Sequence, residues 1–516
     1  MRINRRLMIV LGCIIILYIC LLPTLNTTYI GTSPDENTYI YFSRLLKNES
    51  SLGYTEPLNE KYDTNIFLFR SAIYSDETKL VSSRGFLGIN VINGVIWSLT
   101  GESYFINILI ALLGLVFFYF LVKELFNQRI ALVSLICASV LPLYAYWSPR
   151  IYADIPSLAF LLGSMLYLVK YSKNKQLKYI VLSAILFSIS FWFRYIAGIY
   201  MAVFVVIYLA FPLKNAFTKR NLYAAGIYVA ISAVLISPLL ILNNQLYGGP
   251  FTTGMALNPN INVVEGSIIG RLMHNFGKYF LSLDLHYVVI YTMLGFFGII
   301  LLLKNGGRNK KLALFFICTF ISINIYIANM VLWGESLPKA DLSHSYMRYF
   351  MLHYLLLIPY SIAFLDEIKL PKLRGTIISL LMVLCIVITI TLPSNPIQYR
   401  EGMNDRVIAR DFFLDVIPED AIVFSRYYDK WISQDRKTAI YYYIVPAEER
   451  ISRTADLIKE MLDDDLKVFF LKEDRNESTM EVMDYYYFND YQQEFEEIGL
   501  SVNRVRDVIY QLVLEE

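Results

Sequence analysis

Runs of about twenty mainly apolar residues recur along this chain, and no other feature restricts its folding as much. The hydrocarbon core of a bilayer, about 30 Å thick, takes roughly 20 residues of α-helix to cross. Eleven stretches meet that length: 7–26, 103–122, 129–147, 154–170, 177–194, 196–212, 222–242, 287–303, 311–331, 346–364 and 375–393. Only 17% of the 516 residues are charged, against about 25% in ordinary globular domains. The chain is too apolar for a soluble protein. The first run follows "MRINRR", is long for a signal peptide and lacks a small-residue cleavage site, so it reads as an uncleaved helix.

Charge gives the spans a direction. The connections at 123–128, 171–176, 213–221, 304–310 and 365–374 carry "KELFNQR", "KYSKNKQLK", "PLKNAFTKR", "KNGGRNKK" and "DEIKLPKLR" at or beside their ends. Alternate connections near 148–153 and 332–345 hold one arginine and one lysine. Positive residues collect on the cytoplasmic side, so the N-terminus is expected inside. Eleven crossings then put residues 394–516 outside. That segment has 27 acidic and 15 basic residues, a net charge of −12, which leaves +14 on residues 1–393.

The expected architecture is a polytopic α-helical membrane protein of about 11 transmembrane helices with a small extracytoplasmic C-terminal α/β domain. Residues 1–393 form the membrane domain, with outer loops at 27–102 and 243–286, and residues 394–516 form the soluble domain. In the latter, "RVIARDFFLDVIP" and "ISRTADLIKEMLDD" read as helices, and residues 477–497 look helical. "AIVFS", "KTAIYYYIV" and "LKVFFL" read as strands, with "DVIYQLVL" closing the set. No glycine-rich phosphate loop accompanies them.

The first outer loop opens with "SPDENTYIYF". Ser33 suits an N-cap, Pro34 the first helical position and Glu36 the third, which completes a capping box. An amphipathic helix follows, with Tyr39, Ile40, Leu45 and Leu46 on one face. Asp35 is either a first-turn acid or a fixed carboxylate able to take a proton from an attacking hydroxyl. The second constellation is "YWSPRIYADIPSLAF", residues 146–160. There Arg150, Tyr152 and Asp154 offer a cation, a hydroxyl and a second acid at the depth of Asp35, or else a local Arg–Asp pair. Further polar groups fall on the outer side: Arg84 in "SSRGFLGIN", Arg194 and Tyr195 in "FWFRYIAG", His274 in "RLMHNFGKYF", and His344, Arg348 and Tyr349 in "SHSYMRYF". "NNQLYGGPFTTG", with Asn243 and Tyr247, is a turn at a lipid entrance or a headgroup contact. Outer arginines need partners. An anionic phosphate serves, and snorkelling toward water is the alternative.

Five cysteines, Cys13, Cys20, Cys137, Cys318 and Cys385, all lie in apolar runs and make no disulfide framework. The four histidines form no metal motif, so no cofactor is expected, with a divalent metal left open. Sequons occur at Asn26, Asn48 and Asn476.

Taken together, the acid pair Asp35–Glu36, the stretch "LFNQRIALVSLICASVLPLYAYWSPRIYADIPSLAF", "FWFRYIAG", "NNQLYGGPFTTG" and "MRYF" resemble the GT-C superfamily of integral-membrane glycosyltransferases. They are most similar to the dolichyl-phosphate-mannose protein mannosyltransferase and lipid A aminoarabinose transferase group. The resemblance implies inverting transfer of a sugar from a polyprenyl-phosphate carrier to an acceptor at the outer face. It implies Asp35 as base, Asp154 as the acid that orients the acceptor, and Glu36 as cap and acceptor contact. Arg84, Arg150, Arg194 and Arg348 then bind the donor phosphate. Tyr152, Tyr195, Asn243, Tyr247, His274 and Tyr349 contact substrate. The expected partners are the lipid-linked donor, a lipid, surface-glycan or protein acceptor and membrane lipids, with no nucleic acid. "SSRGFLG" departs from the acid–lysine–proline pattern of the lipid-modifying relatives, and residues 394–516 do not resemble the carbohydrate-binding MIR domain. A flippase for lipid-linked sugars and a non-catalytic surface-assembly protein are the alternative functions. A flippase is disfavoured because acids and arginines gather at one face and spare the bilayer midplane.

Overall fold

The computed structural model describes residues 5–20, 33–68, 71–101, 106–210, 218–257, 268–281, 286–305, 309–328, 347–368, 370–391, 396–425, 429–433, 435–440, 449–471, 488–506 and 508–514. His344, the sequons at Asn26 and Asn476 and the whole connection at 332–345 lie outside them, as do Tyr441–Val445 and residues 477–487.

Among the described residues, six helices are long and apolar enough to cross a membrane: Ile106–Leu125, Asp154–Asn174, Lys219–Tyr247, Lys310–Ile327, Met347–Asp366 and Pro371–Thr389. The chain is a multi-pass membrane protein with six such helices, and the expectation of eleven is corrected. The other expected spans appear as shorter apolar helices, among them Gln128–Ser139, Leu177–Phe193 and Ala197–Leu209. Three of these shortenings have a local cause. The run at 129–147 breaks at Val140, and a new short helix starts at Pro142. The run at 177–194 stops where Arg194 turns extended, at φ −153° and ψ 121°. In 196–212 the α-helix passes into a π-helical turn at Val206–Ala210. A hydropathy window adds apolar residues across such breaks without registering them. The count of crossings therefore assigns no side to residues 394–516.

Met347–Asp366 is buried along nearly its whole length and forms the centre of the bundle, although Pro359 interrupts its hydrogen bonding. Asp154–Asn174 is nearly as enclosed, while Lys219–Tyr247 and Pro371–Thr389 turn most of their surface outward. The 21 residues of Asp154–Asn174 rise about 30 Å, roughly the thickness of a bilayer core. Asp154 and Lys173 thus stand at opposite ends of a helix long enough to cross a bilayer core.

The helix Pro34–Glu49 begins as its sequence dictates. Ser33 caps it, accepting the Glu36 N–H at 3.2 Å, and Pro34 takes the first turn. Its apolar face, with Ile40 and Phe42 fully buried, is covered by protein. A small antiparallel sheet follows, ordered β1 (Gly53–Tyr54), β3 (Leu80–Ser83), β2 (Ala72–Ser75). The C-terminal region is mixed α/β. Its strands are β4 (Ile422–Phe424), β5 (Lys437–Ala439), β6 (Val468–Leu471), β7 (Leu500–Arg506) and β8 (Ile509–Leu514), in the order β5-β4-β6-β8-β7. β4 pairs in parallel with β5 and β6, and β8 pairs antiparallel with β6 and β7. Helices Pro396–Val416 and Arg450–Asp463 match the expected segments. β7 has no counterpart in the sequence reading, because "LSVNRVR" alternates too weakly to stand out.

The first loop is built into this region. Leu58, Tyr62, Ile66 and Phe67 share a core with Ile422, Phe424, Ile458 and Phe470. The Ile440 N–H donates to the Ile66 carbonyl at 2.9 Å, and the Tyr62 hydroxyl donates to Asp464 at 2.7 Å. The described residues of the first loop and of the C-terminal region therefore pack together.

Candidate active site

Asp35, in the first turn of Pro34–Glu49, is held from three directions. The Ser71 hydroxyl donates to its Oδ1 at 2.8 Å, Arg84 Nη2 lies 3.4 Å from the same oxygen, and Arg348 Nη2 lies 3.6 Å from Oδ2. Arg84 also donates to Ser71 Oγ at 3.1 Å, closing a small ring. Burial pushes the Asp35 carboxyl upward, yet Arg84 and Arg348, with the Ser71 hydrogen bond, outweigh it and hold the group below the ordinary aspartate range. About a third of the side chain stays exposed, so a substrate can reach it.

Asp154 is far more enclosed, its side chain 3% exposed. Arg194 Nη2 donates to its Oδ2 at 2.7 Å, and Arg348 Nη1 stands 3.7 Å from the same oxygen. Arg84, Asp35, Arg348, Asp154 and Arg194 thus form a ladder of alternating charge, three cations to two anions. Arg348 stacks 4.8 Å over the Tyr152 ring and 5.3 Å over Trp147, and Arg194 lies 4.9 Å over Phe86 and 4.7 Å over Tyr349. Aromatic faces favour a cation without satisfying its N–H groups. Nε and Nη1 of Arg194 and Nε of Arg348 are buried with no acceptor among the described residues. Both guanidinium groups line a cavity of about 30 Å³ together with Asp154, Ser157, Tyr200 and Tyr349. That is room for one oxygen-sized group.

Arg150 does not pair with Asp154. Its guanidinium lies 3.8 Å over Tyr146 and 5.6 Å from Trp147, and its carbonyl accepts from Asn107. Glu36, fully buried, accepts the Ile151 N–H at 3.1 Å and so fastens the first loop to the segment before Asp154. The Tyr152 hydroxyl bonds Ser33 Oγ, and burial, with the nearby Asp35 charge, raises its pKa and keeps the phenol neutral.

The "NNQLYGGPFTTG" segment lies behind Arg84. The Tyr247 hydroxyl donates to the Ser83 carbonyl at 2.6 Å. A Cβ on Gly254 would meet Ser83 O at 2.6 Å and Arg84 Cα at 2.7 Å, so only glycine lets these backbones approach. Asn243 Nδ2 donates to the Tyr195 hydroxyl at 3.5 Å and to the Pro250 carbonyl at 3.4 Å, and Tyr195 packs against Phe86. Tyr349 supplies the carbonyl that accepts from the Tyr200 hydroxyl at 2.9 Å. His274 is exposed on the amphipathic helix Ile268–Phe280, away from the ladder. Ser71 and Trp147 are the contributors that sequence reading misses. Trp147 lies beside Arg150 in a stretch already singled out, whereas Ser71 carries no signal of its own. Among the described residues no group of three or more His, Cys, Asp or Glu gathers to hold a metal ion.

Residues 89–241 match the family model described as dolichyl-phosphate-mannose-protein mannosyltransferase. Among curated proteins, none matches the sequence. Among solved structures, ArnT from Cupriavidus metallidurans in the apo state is similar at a TM-score of 0.59 and 11% identity, over 98% of this chain and 97% of that one. The same protein bound to undecaprenyl phosphate gives 0.53 and 10%, with the same coverage. The archaeal oligosaccharyltransferase AglB from Archaeoglobus fulgidus, in complex with an inhibitory peptide and a dolichol-phosphate, gives 0.54 and 13%, over 90% of this chain and 69% of that one. The polytopic fold is GT-C-like, similar to those of the ArnT and AglB structures.

Proposed function

We propose that this protein is a glycosyltransferase that moves a sugar from a polyprenyl-phosphate carrier to an acceptor by a single inverting displacement. The observation that carries the reading is the ladder itself. Two buried arginines keep N–H groups without acceptors beside a carboxylate that a substrate can reach. Buried donors left unmatched are costly, and a phosphoryl oxygen is an acceptor of the right charge and size. ArnT bound to undecaprenyl phosphate and AglB with dolichol-phosphate support the choice of carrier.

Asp35 takes the proton of the acceptor hydroxyl as its oxygen attacks the anomeric carbon. The bond from that carbon to the phosphate oxygen breaks, and the carrier phosphate leaves with the added charge. Arg84 and Arg348 serve two anions. As charge grows on the phosphate their pull on Asp35 weakens, and the carboxylate gains basicity when it must accept the proton. Asp154 holds Arg194 and Arg348 in place, and Glu36 fixes the loop that carries Tyr152. Arg150 borders the site as a further cation for the carrier phosphate, and Tyr152 and Tyr349 flank the sugar. Tyr195, Asn243 and Tyr247 position Arg84, and His274 takes no part.

The lysines and arginines at 171–176 and 304–310 support a cytoplasmic assignment for the face opposite Asp154, with the site and residues 394–516 extracytoplasmic. The C-terminal region, together with the part of the first loop packed into it, acts as a cover over the extracytoplasmic face. The test is purified protein in lipid vesicles with a panel of synthetic polyprenyl-phosphate hexoses and pentoses labelled in the sugar. Release of polyprenyl phosphate with label on an acceptor is expected. Movement of the intact lipid across the bilayer with no transfer overturns the proposal.

A further inference from the structure

Tyr200 is a buried phenol to which the chemistry above gives no task. It sits on the helix Ala197–Val205, shortly after Arg194, and lines the same small cavity as Arg194, Asp154 and Arg348. Its hydroxyl donates to the Tyr349 carbonyl at 2.9 Å. Tyr349 follows Arg348 in the 3₁₀ turn Met347–Phe350. This one hydrogen bond therefore joins the segment that carries one cavity arginine to the turn that carries the other.

Behind Tyr200 runs a buried polar chain. His353 Nδ1 is 3.4 Å from the Tyr200 hydroxyl, and His353 Nε2 is 3.2 Å from Thr319 Oγ1. The Thr319 hydroxyl gives its proton to the Phe315 carbonyl at 2.8 Å, one turn back on its own helix. Its oxygen can then only accept, which assigns the His353 proton to Nε2 and leaves Nδ1 as an acceptor facing Tyr200. The phenol thus has one proton and two acceptors, and the shorter contact is to Tyr349. The rings of Phe316, Phe320 and Phe350 pack on the imidazole, which is fully buried. An apolar side chain would fill that place without the cost of taking an imidazole out of water. A satisfied polar network rigidifies what it touches, and this one ends on the turn of Arg348.

That turn needs holding because of its charge. Arg194 and Arg348 both approach Oδ2 of Asp154, at 2.7 and 3.7 Å, and both line the cavity. Two like charges at one oxygen repel each other. Arg348 is the more loosely held of the two, and Asp35 draws it the other way from 3.6 Å. Without a tether it moves off, and the two cations no longer converge on one point. Resting on the transferase reading above, we infer that Tyr200 is a positioning residue for the carrier phosphate. Through the Tyr349 carbonyl it holds the turn that aims Arg348, so that both guanidinium groups meet one phosphoryl oxygen. His353 and Thr319 hold the phenol from behind.

The experiment titrates a polyprenyl phosphate, and separately the polyprenol of the same length, into the full-length protein in nanodiscs. Tyr200→Phe keeps the ring and removes the bond to Tyr349. It should weaken the phosphate about tenfold and leave the alcohol unchanged, with thermal unfolding as the check that the variant is folded. The double substitution Tyr200→Phe with Arg348→Gln should bind the phosphate no more weakly than Arg348→Gln alone, because the phenol acts through that arginine. His353→Leu, outside the cavity, should cost about threefold by the same route, and it decides the matter if Tyr200→Phe does not fold. Unchanged phosphate binding in the folded variants overturns the proposal. Equal losses for phosphate and alcohol also overturn it, since packing alone produces them. So do additive losses in the double variant, which would mean that the phenol acts independently of Arg348. Sugar transfer by the wild type, with normal phosphate binding by Tyr200→Phe, removes the tether and leaves the transferase standing. The expected losses in a protein that transfers no sugar do the reverse. A wild type that binds no polyprenyl phosphate overturns both.

Discussion

Arg194–Asp154 and Lys61–Asp464 are ion pairs of nearly equal length, 2.7 and 2.8 Å, in opposite surroundings. The first has side chains 5% and 3% exposed and continues through Arg348 to Asp35. The second, where the first loop meets the C-terminal region, has side chains 51% and 37% exposed. Water screens the second almost completely. The first gains its attraction only after two ions have left water, and apolar residues of the same volume fill such a place at least as stably. Stability alone therefore does not account for burying Arg194, Asp154 and Arg348 together at one end of a bundle. On the proposed mechanism the buried pairs rearrange around a third anion, whereas the exposed pair only adds to a junction already closed by apolar packing.

The sharpest way to break this contrast is Asp35→Asn. It keeps the size of the side chain and the first turn of its helix but removes the base. Turnover should fall about 10²–10⁴-fold, with the melting temperature and polyprenyl phosphate binding little changed. Near-normal turnover at saturating donor and acceptor would leave Asp35 as a helix start and nothing more.

Next in size is Arg194→Met, which leaves Asp154 buried with Arg348 alone at 3.7 Å. Removing one partner of a buried pair costs about 3–5 kcal/mol, to be read from thermal unfolding in detergent. The double substitution Arg194→Met with Asp154→Leu should recover most of that stability and none of the activity. If activity also returned, the ladder would be structural.

A smaller effect concerns pH. Asp35 is held below the ordinary value of 3.8, so wild-type activity should be level above that value and fall only at lower pH, as the carboxylate is protonated. Arg348→Gln removes a cation that favours the ionised form, so the acid limb must move to higher pH. A limb that stays in place would show that Arg348 does not act on Asp35. The smallest effect is expected for Lys61→Met, which should leave the melting temperature within about 2 °C and turnover within about twofold.

How much of this was legible in the sequence depends on how far apart the partners lie along the chain. The start of the Pro34–Glu49 helix could be read residue by residue, because a cap is a contact between neighbours. The strands "AIVFS" and "LKVFFL" were legible for the same reason. Arg150 and Asp154 invited pairing by proximity, but the segment between them is not helical. The cations that reach Asp154 arrive from Arg194, at the end of the adjacent helix, and from Arg348. The six long helices were overcounted because mean hydropathy passes over a proline or an extended residue inside an apolar run. Ser71 gave no sign at all. A serine in a polar loop acquires its role only when the fold brings Asp35 to it.

The core shared by Leu58, Tyr62, Ile66 and Phe67 with β4 and β6 carries a cost in time. Tyr62 and Asp464 are separated by 402 residues of chain. During synthesis the first loop must wait, apolar side chains uncovered, until every intervening membrane helix has been inserted. Contacts this distant close slowly. Ser71 and Arg84, which hold Asp35, belong to that same loop. A ribosome stalled before residue 468 would release a protein with its membrane helices made and its chemistry unassembled. A membrane quality-control system could recognise it by the exposed Phe67.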